Sequence, residues 1–183
     1  MHKIKRVSLF FKAVFQIILI ALPVILAIAW STSPESYVVM GGAINMSFIP
    51  RSYANNILHV LTPTDRLLGF GISSIPLLIE LYILYSLIKL FDLYSKGEIF
   101  TVNHVKYIRN IGYALLVTQI INPLYEGLIG VALTWHNPHG YRFASVTLDQ
   151  TNLGIIFFAL IIILISWIMA EGCKLREEQQ LTI

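Results

Sequence analysis

Four apolar stretches, each long enough to cross a bilayer, decide what this chain can become. They run from about Val7 to Trp30, Leu67 to Leu90, Ile111 to Trp135 and Leu153 to Ala170. A hydrocarbon core about 30 Å thick takes roughly 20 helical residues to cross. Inside it each backbone N–H and C=O must find its partner within the protein, so a lone spanning segment has to be a helix. Charged residues make up 13% of the sequence, against about 25% in soluble domains, and mean hydropathy is +0.72. The remainder divides into outer loops 31–66 and 136–152, a cytoplasmic loop 91–110 and a tail 171–183, none large enough to hold a core. The expected fold is an all-α membrane protein: one integral membrane domain over residues 1–183, with four transmembrane helices.

The first stretch has a basic start and an apolar centre, but it is longer than the 7–15 apolar residues usual in a signal peptide. It is expected to be a retained helix. Basic residues in the loops set the orientation. Lys3, Lys5, Arg6, Lys12, Lys89, Lys96, Lys106, Arg109, Lys174 and Arg176 fall on the side of the termini, against Arg51, Arg66 and Arg142 on the other. Ten against three places both termini in the cytoplasm. The net charge of +3 then reflects topology and anionic headgroups, and gives no case for direct nucleic-acid binding. The single cysteine, Cys173, excludes an intramolecular disulfide and a cysteine-based metal site.

The outer loops carry strand signals. "SYVVMGGAINMSFIP" places β-favouring residues on either side of Gly41–Gly42, a hairpin turn pair. The alternation from Tyr141 to Leu148 also reads as a strand. Together they predict a small β-containing extracytoplasmic cap of three strands. "RSYANNILHVL" predicts a short interfacial helix stopped by Pro63. In the cytoplasmic loop, Gly97 ends the continuation of span two and Thr101 is the N-cap of a helix from Val102. Val102, Val105, Ile108 and Ile111 form an apolar edge that would lie in the headgroup layer before span three begins.

"LYSKGEIFTVNHVKYIRNIGYALL" resembles the "rGeiFs…Nv…lr.iG" pattern of a bacterial family known as domain of unknown function 2975. Gly97, Glu98, Phe100, Asn103, Arg109 and Gly112 carry the match. The ending "EGCKLREEQQLTI" is similar to that family's close, through Gly172, Leu175, Arg176, Glu177, Glu178, Leu181 and Thr182. The resemblance implies four membrane spans over the whole chain. It suggests a small cytoplasmic helix-turn-helix regulator as a partner, and it brings no activity or catalytic residue. The motifs also have a physical reading. Gly97 can take the positive φ that stops a helix, Phe100 anchors the turn in the bilayer, and Gly112 permits close helix approach. The charged tail is either a solvated end or a surface for a partner.

Two carboxylates fall within the spans. Gly69, Ser73, Pro76 and Glu80 lie near one face of span two, and Gln119, Asn122, Glu126 and Gly130 on one face of span three. Small and polar stripes of this kind mark helix contacts in membranes. At 1.5 Å per residue Glu80 is ~15 Å from Leu90, while Asn122 is ~16 Å and Gln119 ~12 Å from Ile111. Glu126, at ~22 Å, falls nearer the level of Ser73 and Ser74. Glu80 is therefore expected to be neutral and hydrogen-bonded to Asn122 or Gln119, since no basic residue lies at its depth. Three roles stay open for the pair of glutamates: structural hydrogen bonding, a proton, cation or substrate path, or a sensor of helix packing. Pro23, Pro76 and Pro123 permit kinks in three spans.

No catalytic chemistry is visible. His136 and His139 flank Asn137–Pro138, but Pro138 disfavours helical geometry and a closed metal site needs more ligands. There is no Gly-rich phosphate cradle, no G-x-S-x-G and no H-E-x-x-H. His104 reads as a cap-region or interfacial residue. No cofactor or metal is expected. The function expected is a non-enzymatic regulatory or signalling membrane component, free to form a homo-oligomer; the alternative is a small transporter, channel or immunity-type protein using Glu80 and Glu126. A fluorescent protein that matures only in the cytoplasm, fused after Ile183, is expected to fluoresce, and to stay dark when inserted in loop 31–66. The reverse pattern contradicts the orientation.

Overall fold

The computed structural model describes residues 2–32, 37–39, 44–46, 57, 61–97, 101–146 and 150–181. Four helices dominate: α1 His2–Ser31, α2 Pro63–Lys96, α3 Val102–Thr134 and α4 Gln150–Leu181. All four are long and apolar enough to cross a membrane, so the chain is a multi-pass membrane protein. Each helix outruns its apolar stretch. At 34 residues, α2 is ~51 Å long, well beyond the hydrocarbon thickness. Polar residues end the apolar run without ending the helix, because helical hydrogen bonds form equally well in the headgroup layer.

Two expectations change. The interfacial helix before span three is absent as a separate element: Val102 to Thr134 is one continuous helix. Gly112 does not interrupt it, and of the apolar edge Val105 and Ile111 are buried while Val102 is exposed. The β-containing cap is not supported either. Strands β1 Tyr37–Val39 and β2 Ile44–Met46 pair antiparallel, with Tyr37 opposite Met46, but these are three residues each. Residues 141–146 have no regular secondary structure. Their polar groups are held by the end of α3 instead: Phe143 N donates to Thr134 Oγ1 at 3.0 Å, and Asn137 Nδ2 donates to the Tyr141 carbonyl at 3.0 Å. A segment whose backbone is held by side chains has less left for a neighbouring strand. Gly41–Gly42 and most of the "RSYANNILHVL" segment lie outside the described residues.

The chain divides into two compact units. One comprises Met1–Ile20, Ile79–Gln119 and Asp149–Ile183; the other Ala21–Leu78 and Ile120–Leu148. In the first, Phe91 of α2 stacks on Phe11 of α1 with ring centroids 5.3 Å apart. The Lys12 ammonium reaches Asp92 at 2.6 Å. Where α3 meets α4, a Cβ added at Gly112 would sit 2.6 Å from Ile163 Cγ1 and 3.2 Å from the Ala159 carbonyl oxygen.

The second unit has a core of Leu26, Trp30, Leu61, Ile129 and Leu133, with Ile72, Leu77 and Tyr125 packed against it. Trp30 is only 2% exposed. The six-membered ring of its indole rests on Gly69, where a Cβ would run into it. A ring cannot swing aside as a flexible chain does, so the position needs a residue without a side chain. Gly69→Ala is expected to destabilise by about 1–3 kcal/mol through overpacking. Gly71→Ala, where an added Cβ meets nothing within 4 Å, is expected to be neutral or to stabilise by up to about 1 kcal/mol. Unfolding in mixed micelles measures both, and equal effects contradict the packing account.

Candidate functional site

The polar residues picked out within the spans are divided between the units. Glu80 and Gln119 belong to the first, and Ser73, Asn122 and Glu126 to the second. In the second, Ser73 is buried and its hydroxyl lies 3.5 Å from the Tyr125 hydroxyl of α3. Asn122 and Glu126 are half-buried. In the first, Gln119 is buried, yet neither atom of its amide has a hydrogen-bond partner among the described residues. The hydrogen bond expected between Gln119 and Glu80 is thus not made. Glu80 is exposed. The stripe along α2 is buried at Gly69 and Ser73 and opens outward at Glu80.

The α2–α3 turn is built from local chemistry. Gly97 has φ +82°, and its N–H donates to the Tyr94 carbonyl at 3.1 Å, which closes α2. Thr101 opens α3: its carbonyl accepts from Val105 N at 3.2 Å and its Oγ1 from His104 N at 3.3 Å. Asp92, near the end of α2, is held by Lys12 from α1 and by Lys96, at 2.6 and 2.7 Å. His104 departs from the interfacial reading. It is fully buried, edge-on to the Tyr94 ring with centroids 4.6 Å apart, and neither ring nitrogen has a hydrogen-bond partner among the described residues. Asn103 is exposed and Arg109 half-buried, whereas Glu98 and Phe100 lie outside the described residues.

At the other end of the motif set, α4 stays helical as far as Leu181. Gly172, Leu175, Arg176, Glu177 and Glu178 are exposed, while Cys173 is buried. Lys174 pairs with Glu171 one turn back at 3.4 Å. The side chain of Leu181, and Thr182 and Ile183 altogether, lie outside the described residues.

One polar centre has no counterpart among the expectations. Asp65 is 1% exposed. Its Oδ2 accepts from Thr62 N at 2.9 Å and from Thr62 Oγ1 at 2.7 Å, while Thr62 Oγ1 accepts from Asp65 N at 3.3 Å. This is a capping box with Asp in the place of Glu. Pro63 follows the cap as the first helical residue, where its missing N–H costs nothing. Pro63 therefore starts α2 as well as bounding what precedes it. The other oxygen of Asp65 lies 3.0 Å from Nδ1 of His136, just past the end of α3. The carboxylate thus joins the start of α2 to the end of α3. Thr-Pro-Thr-Asp before an apolar run was the signal that identifies it. Neither His136 nor His139 joins a set of three metal-ligating side chains among the described residues.

The model of a family described as Protein of unknown function (DUF2975) matches residues 54–183. The chain belongs to that family. Both motifs that carry the resemblance, at Gly97–Gly112 and Gly172–Thr182, lie inside the DUF2975 match, as do α2, α3 and α4 in full. No curated protein and no solved structure matches the chain. The DUF2975 description assigns no reaction, so the site is judged on its geometry. That geometry offers packing and surface.

Removing the Asp65 carboxylate takes away half of the capping box: the Thr62 N–H loses its acceptor, while the backbone N–H of residue 65 can still reach Thr62 Oγ1. Asp65→Ala is expected to cost about 2 kcal/mol or more. His136→Ala is expected to cost less than about 1 kcal/mol, because the imidazole is 51% exposed. Denaturation followed by helical circular dichroism compares them; a His136 effect as large as that of Asp65 contradicts the capping account.

Proposed function

We propose that the protein is a non-enzymatic component of a bacterial inner membrane that holds a protein partner at its cytoplasmic face. The observation that carries this reading is the end of α4. From Ala170 to Leu181 the helix continues for ~17 Å past the last apolar stretch, and residues 174–179 are exposed along it. A helix this polar gains nothing from the bilayer. It presents Leu175, 54% exposed, among charges of both signs, the make-up of a surface that can dock a folded partner. The excess of basic residues on the side of the termini supports the cytoplasmic orientation. The family resemblance suggests a small helix-turn-helix regulator as the partner, which makes the role regulatory.

The second reading is transport or conduction along the Glu80 and Glu126 stripe. The exposure of Glu80 favours it less, because a path wants its carboxylate inside the protein or facing a water-filled cavity. Its exposure suits a contact with another helix, including one from a second copy. The two readings separate cleanly. A photoreactive residue at Leu175 is expected to give a protein adduct in cells, whereas one at the lipid-exposed Leu160 gives none. Deleting residues 174–183 is expected to abolish the adduct partner's co-purification, and Glu80→Gln to leave it intact. Adducts of equal yield from both positions, or co-purification that survives the deletion, overturn the docking reading.

A further inference from the structure

The second unit carries an open groove of ≈ 710 Å³, walled by Ala27, Trp30, Leu61, Leu67 and Phe70 with Arg66 among them. The walls are mostly apolar. Besides Ser31, Arg66 is the exception and brings the charge, and its surroundings are unusual. Its Nη1 donates to the Ser31 carbonyl at the last turn of α1, at 2.9 Å. Nε is buried without a hydrogen-bond partner among the described residues. Among the described residues no carboxylate pairs with it: the neighbouring Asp65 turns one oxygen to Thr62 and the other towards His136. A guanidinium has five donors in a planar fork, so one bond to a carbonyl leaves most of that capacity unspent.

Depth identifies what meets it. The 34 residues of α2 exceed by about 14 the roughly 20 that cross the hydrocarbon. Divided between its ends, that excess leaves about seven residues at each in the headgroup layer. Arg66 is the fourth residue of α2, and Leu67 and Phe70 follow it inward. The guanidinium therefore stands at phosphate level, while the apolar walls descend along the acyl chains. Leu67, 71% exposed, leaves the groove open to the bilayer.

We propose that this groove is a binding site for an anionic phospholipid, with its phosphate on Arg66 and an acyl chain against Trp30 and Phe70. A neutral, zwitterionic lipid fills the walls equally well but meets an uncompensated cation. A lipid with net negative charge satisfies both. Fixed positive charge at a membrane surface favours an anionic headgroup by about fivefold per basic residue, and that is the selectivity expected.

Trp30 forms part of the wall, so its fluorescence reports the occupant. Trp135→Phe and Trp167→Phe, both at exposed positions, leave Trp30 as the only indole. The protein is reconstituted in phosphatidylcholine vesicles containing a minority of brominated phosphatidylglycerol, or of brominated phosphatidylcholine in a companion sample. Quenching is expected to correspond to about a fivefold preference for phosphatidylglycerol. It is expected to persist in Arg66→Lys and to vanish in Arg66→Gln. Leu67→Glu, which keeps Arg66 and the Ser31 contact, is expected to abolish it as well. Equal quenching by the two lipids in the parent protein overturns the proposal, and so does a preference that survives Arg66→Gln or Leu67→Glu. Inorganic phosphate that erased the preference at matched ionic strength would reassign Arg66 to a free anion and overturn the lipid site.

Discussion

A peptide group left unpaired in hydrocarbon costs several kcal/mol, and every other feature of this protein depends on avoiding that cost. It makes the four apolar stretches helices and moves the burden of termination to the ends. Four of the ends are handled by named groups. Thr62 and Asp65 cap α2, Gly97 closes it with a positive φ, and Thr101 caps α3. At the end of α1, Ser31 Oγ and Thr32 Oγ1 donate to the Ala27 and Ile28 carbonyls, and Arg66 donates to that of Ser31. The residues that close helices are therefore also the residues best placed to meet a headgroup or a partner.

With the backbone satisfied, side-chain packing chooses the neighbours. There is no hydrophobic gain in burying a leucine from lipid, so close fit and hydrogen bonds decide. In one unit the fit is a ring on a glycine, Trp30 on Gly69. In the other it is Phe91 between Phe11 and Phe15 beside the Lys12–Asp92 pair. Polar side chains within the spans follow no single rule: Ser73 reaches Tyr125, while Gln119 is buried with its amide unpaired among the described residues. An unpaired amide and an exposed Glu80 are costs carried by the packing, and such costs in a membrane protein are where function is best sought.

The sequence reveals the spans because twenty apolar residues admit few explanations. Helix ends are unevenly legible: the start at Val102 with Thr101 as its cap is written locally and holds, whereas nothing in the hydropathy separates 171–181 from a loop, since a helix in the headgroup layer looks polar. The alternation at Tyr141–Leu148 has the period of a strand, but Thr134 and Asn137 take its backbone groups first. Periodicity placed Glu80 on the face of Gly69 and Ser73, yet a period says which residues share a face and never which level of that face a neighbour covers. Asp65 was legible in principle. Its capping box is written in Thr-Pro-Thr-Asp, where Pro63 both bounds what precedes it and starts the helix. Its tie to His136 joins residues 71 positions apart, and no local pattern encodes it.

Four helices long and apolar enough to cross the bilayer, with α3 and α4 continuing well beyond it as helix, are what the whole structure rests on. Backbone hydrogen exchange in lipid nanodiscs tests this most directly. The account predicts deep protection within 7–30, 67–90, 111–135 and 153–170, with intermediate protection over 102–110 and 171–181, where helical hydrogen bonds face water. Full exchange at random-coil rates across 102–110 and 171–181, or the loss of protection in any one of the four spans, would contradict it.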